Sequence, residues 1–129
     1  VATQHGLVEW SRALRPLLQE ADRGRFAPDL GPSLVERIEQ YAEIELAANQ
    51  KASKEAANRA GVRQLLRLLG HHLRERLAAA ETVEECERCC ATIDLLSEIE
   101  QQSESHINIK QLMESLSANW VQPEPVPTA

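Results

Sequence analysis

Cys86, Cys89 and Cys90 fall within five positions of one another and are the first residues whose type and spacing could do chemistry. On a helix the three lie toward one side, and Cys86-x-x-Cys89 has the spacing of half a zinc knuckle. A closed zinc site takes four ligands. No second Cys-x-x-Cys and no histidine pair at finger spacing follows, and His106 is the only later histidine. An odd number of cysteines cannot close a disulfide framework, and free cysteine is among the most buried residue types. Cys86 and Cys90 are therefore expected to pack on the inner side of a helix; a metal- or redox-responsive role for the cluster is the alternative. His71 and His72 adjoin Arg67, Arg74 and Arg76, but no paired carboxylate, nucleophile or glycine loop accompanies them in the sequence. The expected arrangement is a solvated helix face with one histidine turned toward the core edge. The chain carries no Gly-x-x-x-x-Gly-Lys-Ser/Thr loop, no Gly-x-Ser-x-Gly and no His-Glu-x-x-His, the signatures of phosphate cradles, serine nucleophiles and zinc peptidases. No catalytic residue, metal ligand or cofactor is assigned, and the domain is expected not to be an enzyme.

Binding offers more than catalysis. Arg59, Arg63, Arg67 and Arg74 recur at helical spacing and form a basic ridge on a protein of net charge -6. Such a ridge is either an ordinary solvated face with glutamate partners or a dock for an acidic partner surface or a phosphate backbone. No aromatic residue that could stack a base lies in this segment, which weighs against nucleic acid. Trp120, at the end of the last helical pattern, either anchors an interface, as large aromatics often do, or closes its own core. The candidate partner-binding residues are thus Arg59, Arg63, Arg67, Arg74 and Trp120.

The elements that position these residues read as helices. With 129 residues the chain can build one core and not two. Its aromatics are only Trp10, Phe26, Tyr41 and Trp120, so the core must come from Leu, Ile, Val and Ala, a mixture that suits helix-on-helix packing. The acidic balance opposes general attraction to nucleic acid or anionic membrane. No apolar run approaches the roughly 20 residues that span a bilayer. The start, Val1-Ala2-Thr3, has neither Met nor the features of a signal peptide, so the chain is expected to be a piece of something longer, in a reducing cytoplasm.

Residues 6–21 carry Leu7, Leu14, Leu17, Leu18 and Ala21 at helical spacing, interrupted by Pro16, which predicts a kink or a fresh start there. Residues 23–32, with two glycines and two prolines, read as a loop. Ser33 and Glu36 have capping-box spacing and open a helix with Leu34, Val35, Ile38, Tyr41, Ala42 and Leu46 on one stripe. A break near Asn49 or Gln50 separates it from an Ala-rich polar stretch that leads into Val62, Leu65, Leu66, Leu69, Leu73 and Leu77. That series is a core-facing helix, and Gly70 inside it predicts close backbone packing. Thr82 and Glu85 form a second capping box, before a helix whose inner side is read as Val83, Cys86, Cys90, Ile93, Leu96 and Ile99. Asn108 and Gln111 mark a third start, followed by Ile109, Leu112, Met113, Leu116 and Trp120. The expected fold is all-α: a single compact bundle of about five helices over residues 1–122, with 123–129 a non-helical tail containing Pro123, Pro125 and Pro127.

Taken together, Ser33 to Ala48, the Arg59–Leu77 segment, and Cys90 to Trp120 resemble the C-terminal collar domain of bacterial DNA polymerase III clamp-loader subunits, most nearly the delta-prime type. Ile93-Asp94-Leu95-Leu96 stands where that family has an Ile-Asp-Leu-like segment. Asn108-Ile109-Lys110-Gln111-Leu112-Met113-Glu114-Ser115-Leu116 fills the place of its final helix, of the form Lys-x-Leu-x-Glu-x-Leu. The resemblance covers roughly residues 34–120 and consists of amphipathic patterns rather than chemical signatures. It implies a noncatalytic oligomerisation domain that packs beside the collars of sister subunits and holds the ATPase ring during DNA replication, touching DNA only through the parent complex. ATP binding would lie in an N-terminal portion outside this chain, and the family's Ser-Arg-Cys motif is absent here. The cysteines and the proline-rich tail belong to no part of the family pattern. A free-standing helical adaptor or regulator is the competing expectation.

Overall fold

The computed structural model describes residues 2–23, 28–49, 51, 53–105 and 108–121. These form five helices and no strand: α1 (Ala2–Asp22), α2 (Leu30–Ala48), α3 (Lys54–Ala79), α4 (Val83–Ser105) and α5 (Ile109–Val121). The all-α fold expected from the periodicity is the fold observed. The tail 123–129 lies outside the described residues.

Helices α2 to α5 close a ring of contacts in which each packs on the next and α5 returns to α2, while α1 lies against α2 and α5. Short connections between consecutive helices make neighbours antiparallel. The C-terminal ends of α1, α3 and α5 and the N-terminal ends of α2 and α4 therefore gather at one end of the bundle. The core is aliphatic: Leu14, Leu18, Leu30, Leu34, Ile38, Val62, Leu65, Leu69, Leu73, Ile99, Met113 and Leu116 are almost fully buried.

Two helix starts follow their cap signals. The Thr82 hydroxyl accepts from the Glu85 N–H at 3.1 Å, and the Glu85 carboxylate reaches back to the Glu81 N–H at 3.0 Å. Asn108 accepts from the Gln111 N–H at 3.1 Å. The start of α3 was not legible as a cap, yet the Ser53 hydroxyl accepts from the Ala56 N–H at 3.0 Å and fixes it. The break expected at Asn49 or Gln50 occurs at Asn49, whose extended backbone ends α2.

Four expectations are corrected. The Ser33–Glu36 capping box is not a start: α2 begins at Leu30, and the Ser33 N–H already bonds to the Asp29 carbonyl. Starting one turn early buries Leu30 and Gly31, and Pro32 lies in the first turn, where a missing N–H is harmless. The helix does not start afresh at Pro16: α1 continues through it from Ala2 to Asp22. Leu14, Leu18 and Ala21 hold its inner face, Pro16 is exposed on the other side, and a carbonyl freed there can bond to water. Gly70 is not a close approach, since a Cβ there would meet nothing within 4 Å. Gly61 is the crossing point instead: a Cβ there would stand 3.0 Å from the Ile38 carbonyl oxygen and 3.2 Å from Ile38 Cγ2.

The fourth correction is the phase of α4. Its buried positions are Cys89, Thr92, Leu96, Ile99 and Ser103, while Cys90 is exposed, Cys86 half-buried and Val83 70% exposed. The true stripe alternates steps of three and four but includes two polar residues, so a reading that followed apolar residues slid onto the adjacent face. Thr92 and Ser103 are tolerated inside because each hydroxyl donates to its own helix, to the Arg88 carbonyl at 2.8 Å and the Glu100 carbonyl at 2.7 Å.

Candidate functional site

The four arginines of the ridge share one face of α3, but they are not equivalent. Arg59 is partly buried and bonded at 2.8 Å to Glu55, one turn earlier. Arg63, Arg67 and Arg74 are exposed and make no ion pair with any described residue. The reason is local. None of these three has an acidic residue three or four positions away, the only offsets at which side chains on one helix meet. The solvated-face reading required glutamate partners, and among the described residues only Arg59 has one.

Trp120 takes the second of its two readings. Its side chain is 3% exposed, and the indole Nε1–H donates to Asp22 Oδ1 at 2.8 Å. The ring lies 6.2 Å from that of His72, tilted by 36°. Buried indoles need an acceptor for their single donor. With that donor satisfied and the ring inside, Trp120 closes this core and offers no face to a partner.

The residue that organises the gathered end is Asp22, which the sequence reading passed over. Besides the indole, Asp22 accepts from Arg76 Nη1 at 2.9 Å through Oδ1 and lies 2.8 Å from His72 Nε2 through Oδ2. The carboxylate, 10% exposed, thereby joins α1, α3 and α5. A signal for it exists. An acidic residue in the last turn of a helix faces the negative end of the helix dipole, so Asp22 needs outside donors to be stable there. His71, by contrast, is exposed and pairs with Glu75 at 3.0 Å. One histidine on the surface and one at the core edge is the arrangement expected for this pair.

Beside Asp22 an open cleft of about 570 Å³ runs between the end of α1, the end of α3 and the start of α4. Gln19, Arg23, Arg76, Glu85, Arg88 and Cys89 line it together with Asp22 and His72. A carboxylate, an imidazole and a thiol on one cleft invite comparison with a nucleophilic triad, but the thiol is wrong for it. Burial pushes the Cys89 pKa up, and Asp22, Cys90 and Cys86 push the same way; only Arg76 opposes them. A thiol held protonated is a poor nucleophile.

This ordering gives a direct test. Alkylation by iodoacetamide near neutral pH is expected to reach Cys90 first, Cys86 next, and Cys89 at least roughly tenfold more slowly, as read by peptide mass mapping. Modification of Cys89 as fast as Cys90 would revive the redox alternative. Nor do the three thiols converge on a metal: among the described residues no group of three His, Cys, Asp or Glu side chains is placed to hold an ion. His106 lies outside those residues.

No helix among the described residues is long and apolar enough to cross a membrane. No family model, curated protein or solved structure matches the chain.

Proposed function

We propose that this chain is a noncatalytic assembly module of the clamp-loader collar type, docking an acidic surface of a sister subunit onto the outer face of α3. The observation that carries the reading is the line of three guanidinium groups, Arg63, Arg67 and Arg74, with no ion-pair partner among the described residues, on a protein of net charge -6. Cations left without local partners on an acidic protein are suited to steering and registering an acidic partner rather than to holding the fold. The all-helical bundle and the sequence resemblance over residues 34–120 support the same assignment. The resemblance also implies the setting, a cytoplasmic DNA polymerase III complex in which DNA is met only through the assembled ring.

Reversing Arg63 and Arg67 together to Glu is the test. Both side chains are exposed and neither bonds within the described chain, so helicity and melting should stay close to wild type. Co-purification of the full-length variant with clamp-loader subunits should fall by roughly tenfold or more at low salt. In the wild type it should weaken as salt rises, because exposed charge pairs are screened. Wild-type assembly of the variant at both low and high salt would remove the ridge from the function. Assembly with no clamp-loader subunit, in variant or wild type, would favour the free-standing adaptor.

A further inference from the structure

The cleft at the gathered end of the bundle lies apart from the exposed α3 ridge and plays no part in the assembly reading. Its charges are unevenly satisfied. Asp22 already accepts from Trp120 and Arg76 and meets His72, so its negative charge is engaged from within. Glu85 is held by the Glu81 N–H as part of the α4 cap. The arginines are freer. Arg88 makes no side-chain ion pair or hydrogen bond with a described residue. Arg23 pairs only loosely with Glu20, at 3.9 Å, and its side chain is 62% exposed. Arg76 gives Asp22 one of its five N–H groups. Among the arginine and carboxylate side chains of the lining, three guanidinium groups face two carboxylates, an excess of one positive charge (3 - 2 = 1) on a strongly acidic molecule.

The placement matters as much as the charge. Arg23 directly follows the end of α1, Arg76 lies in α3 and Arg88 in α4, so the three arginines line one space from three different walls. A planar carboxylate is matched by one guanidinium fork. A tetrahedral oxyanion presents oxygens in several directions and can be engaged from more than one wall at once. The Gln19 amide adds a further donor at the rim. The volume, about 570 Å³, falls within the range of sites for small molecules.

We propose that this cleft binds the phosphate group of a small soluble molecule, held between Arg23 and Arg88 with Arg76 at its base. Asp22 keeps Arg76 in place, and the Asp22–Trp120 bond ties the site to the closure of the bundle.

The experiment is a titration of the whole chain with inorganic phosphate, followed by amide NMR shifts and repeated with sodium chloride at matched ionic strength. Saturable shifts confined to the amides of Gln19, Arg23, Arg76, Arg88 and their neighbours are expected with phosphate and not with chloride. Arg23→Gln and Arg88→Gln should each weaken binding roughly tenfold without changing the melting temperature, since neither arginine holds the fold. A parallel titration with a short single-stranded oligonucleotide distinguishes a phosphate ester from a nucleic-acid backbone. Tighter binding of the oligonucleotide, centred on the same cleft, would overturn the small-molecule assignment. Linear shifts with no saturation, equal responses to chloride, or unchanged phosphate affinity in both variants would each overturn the site. Failure here would leave the α3 docking surface untouched, because no residue of that surface lines the cleft.

Discussion

Replacing Asp22 with alanine is expected to destabilise the bundle by about 2–3 kcal/mol, lowering the melting temperature by roughly 7–11 °C. The carboxylate is 10% exposed and its partners His72 and Arg76 are 19% and 23% exposed. Breaking a fully buried pair costs about 3–5 kcal/mol. The lower figure applies because His72 and Arg76 can recover some water at the cleft. The indole of Trp120 cannot. It is 3% exposed and its Nε1–H has Asp22 as its partner, so alanine leaves a buried donor unmatched. A double-mutant cycle with Trp120→Phe isolates that term, because phenylalanine keeps most of the ring and removes the donor. The second substitution should cost clearly less in the Asp22→Ala background than in the wild type. Strictly additive losses would mean that the bond contributes nothing, and that Trp120 is held by packing alone.

The second large effect is expected at Gly61. Valine there would place its Cβ 3.0 Å from the Ile38 carbonyl oxygen, a contact of side chain on backbone that no rotamer can relieve. Helices α2 and α3 would have to separate along their crossing, and both contribute fully buried leucines to the core. Overpacking of this kind costs about 1–3 kcal/mol, and because the obstacle is backbone the upper end applies. Gly70 provides the control in the same helix. A Cβ there meets nothing within 4 Å, so Gly70→Ala should gain about 1 kcal/mol from helix propensity alone. Thermal melts should rank Gly70→Ala above wild type and Gly61→Val well below. A Gly61→Val protein melting with the wild type would show that the α2–α3 contact is looser than the distances imply.

Several features at the gathered end illustrate how one arrangement serves more than one purpose. The donors that neutralise Asp22 also fix the wall of the cleft, and the residue that raises the Cys89 pKa, apart from burial and its cysteine neighbours, is again Asp22. Loss of Asp22 is therefore expected to loosen the cleft as well as the fold. The exposed part of the α3 ridge, Arg63, Arg67 and Arg74, makes no ion pair with a described residue and should be indifferent to that change.

Helix number and type, most boundaries and the aliphatic core of α3 and α5 are determined by the sequence alone. Periodicity and caps are local, and Leu65, Leu69, Leu73, Met113 and Leu116 advertise their face within a few residues of themselves. The ridge was legible for the same reason, since the absence of acidic residues three and four positions from Arg63, Arg67 and Arg74 is a property of the string. Only the tertiary structure decided the rest. Which face of α4 turns inward depended on Thr92 and Ser103, polar residues whose burial is permitted by bonds to their own helix. Which glycine lies at a crossing depended on where Ile38 of α2 meets α3, and the start of α2 on what Leu30 finds to pack against. Trp120 was undecidable locally because its acceptor, Asp22, lies 98 residues away. The clasp, the cleft beside it and the raised Cys89 thiol share that origin: each is made of groups from separate helices, and no spacing along the chain records which helix ends the fold brings together.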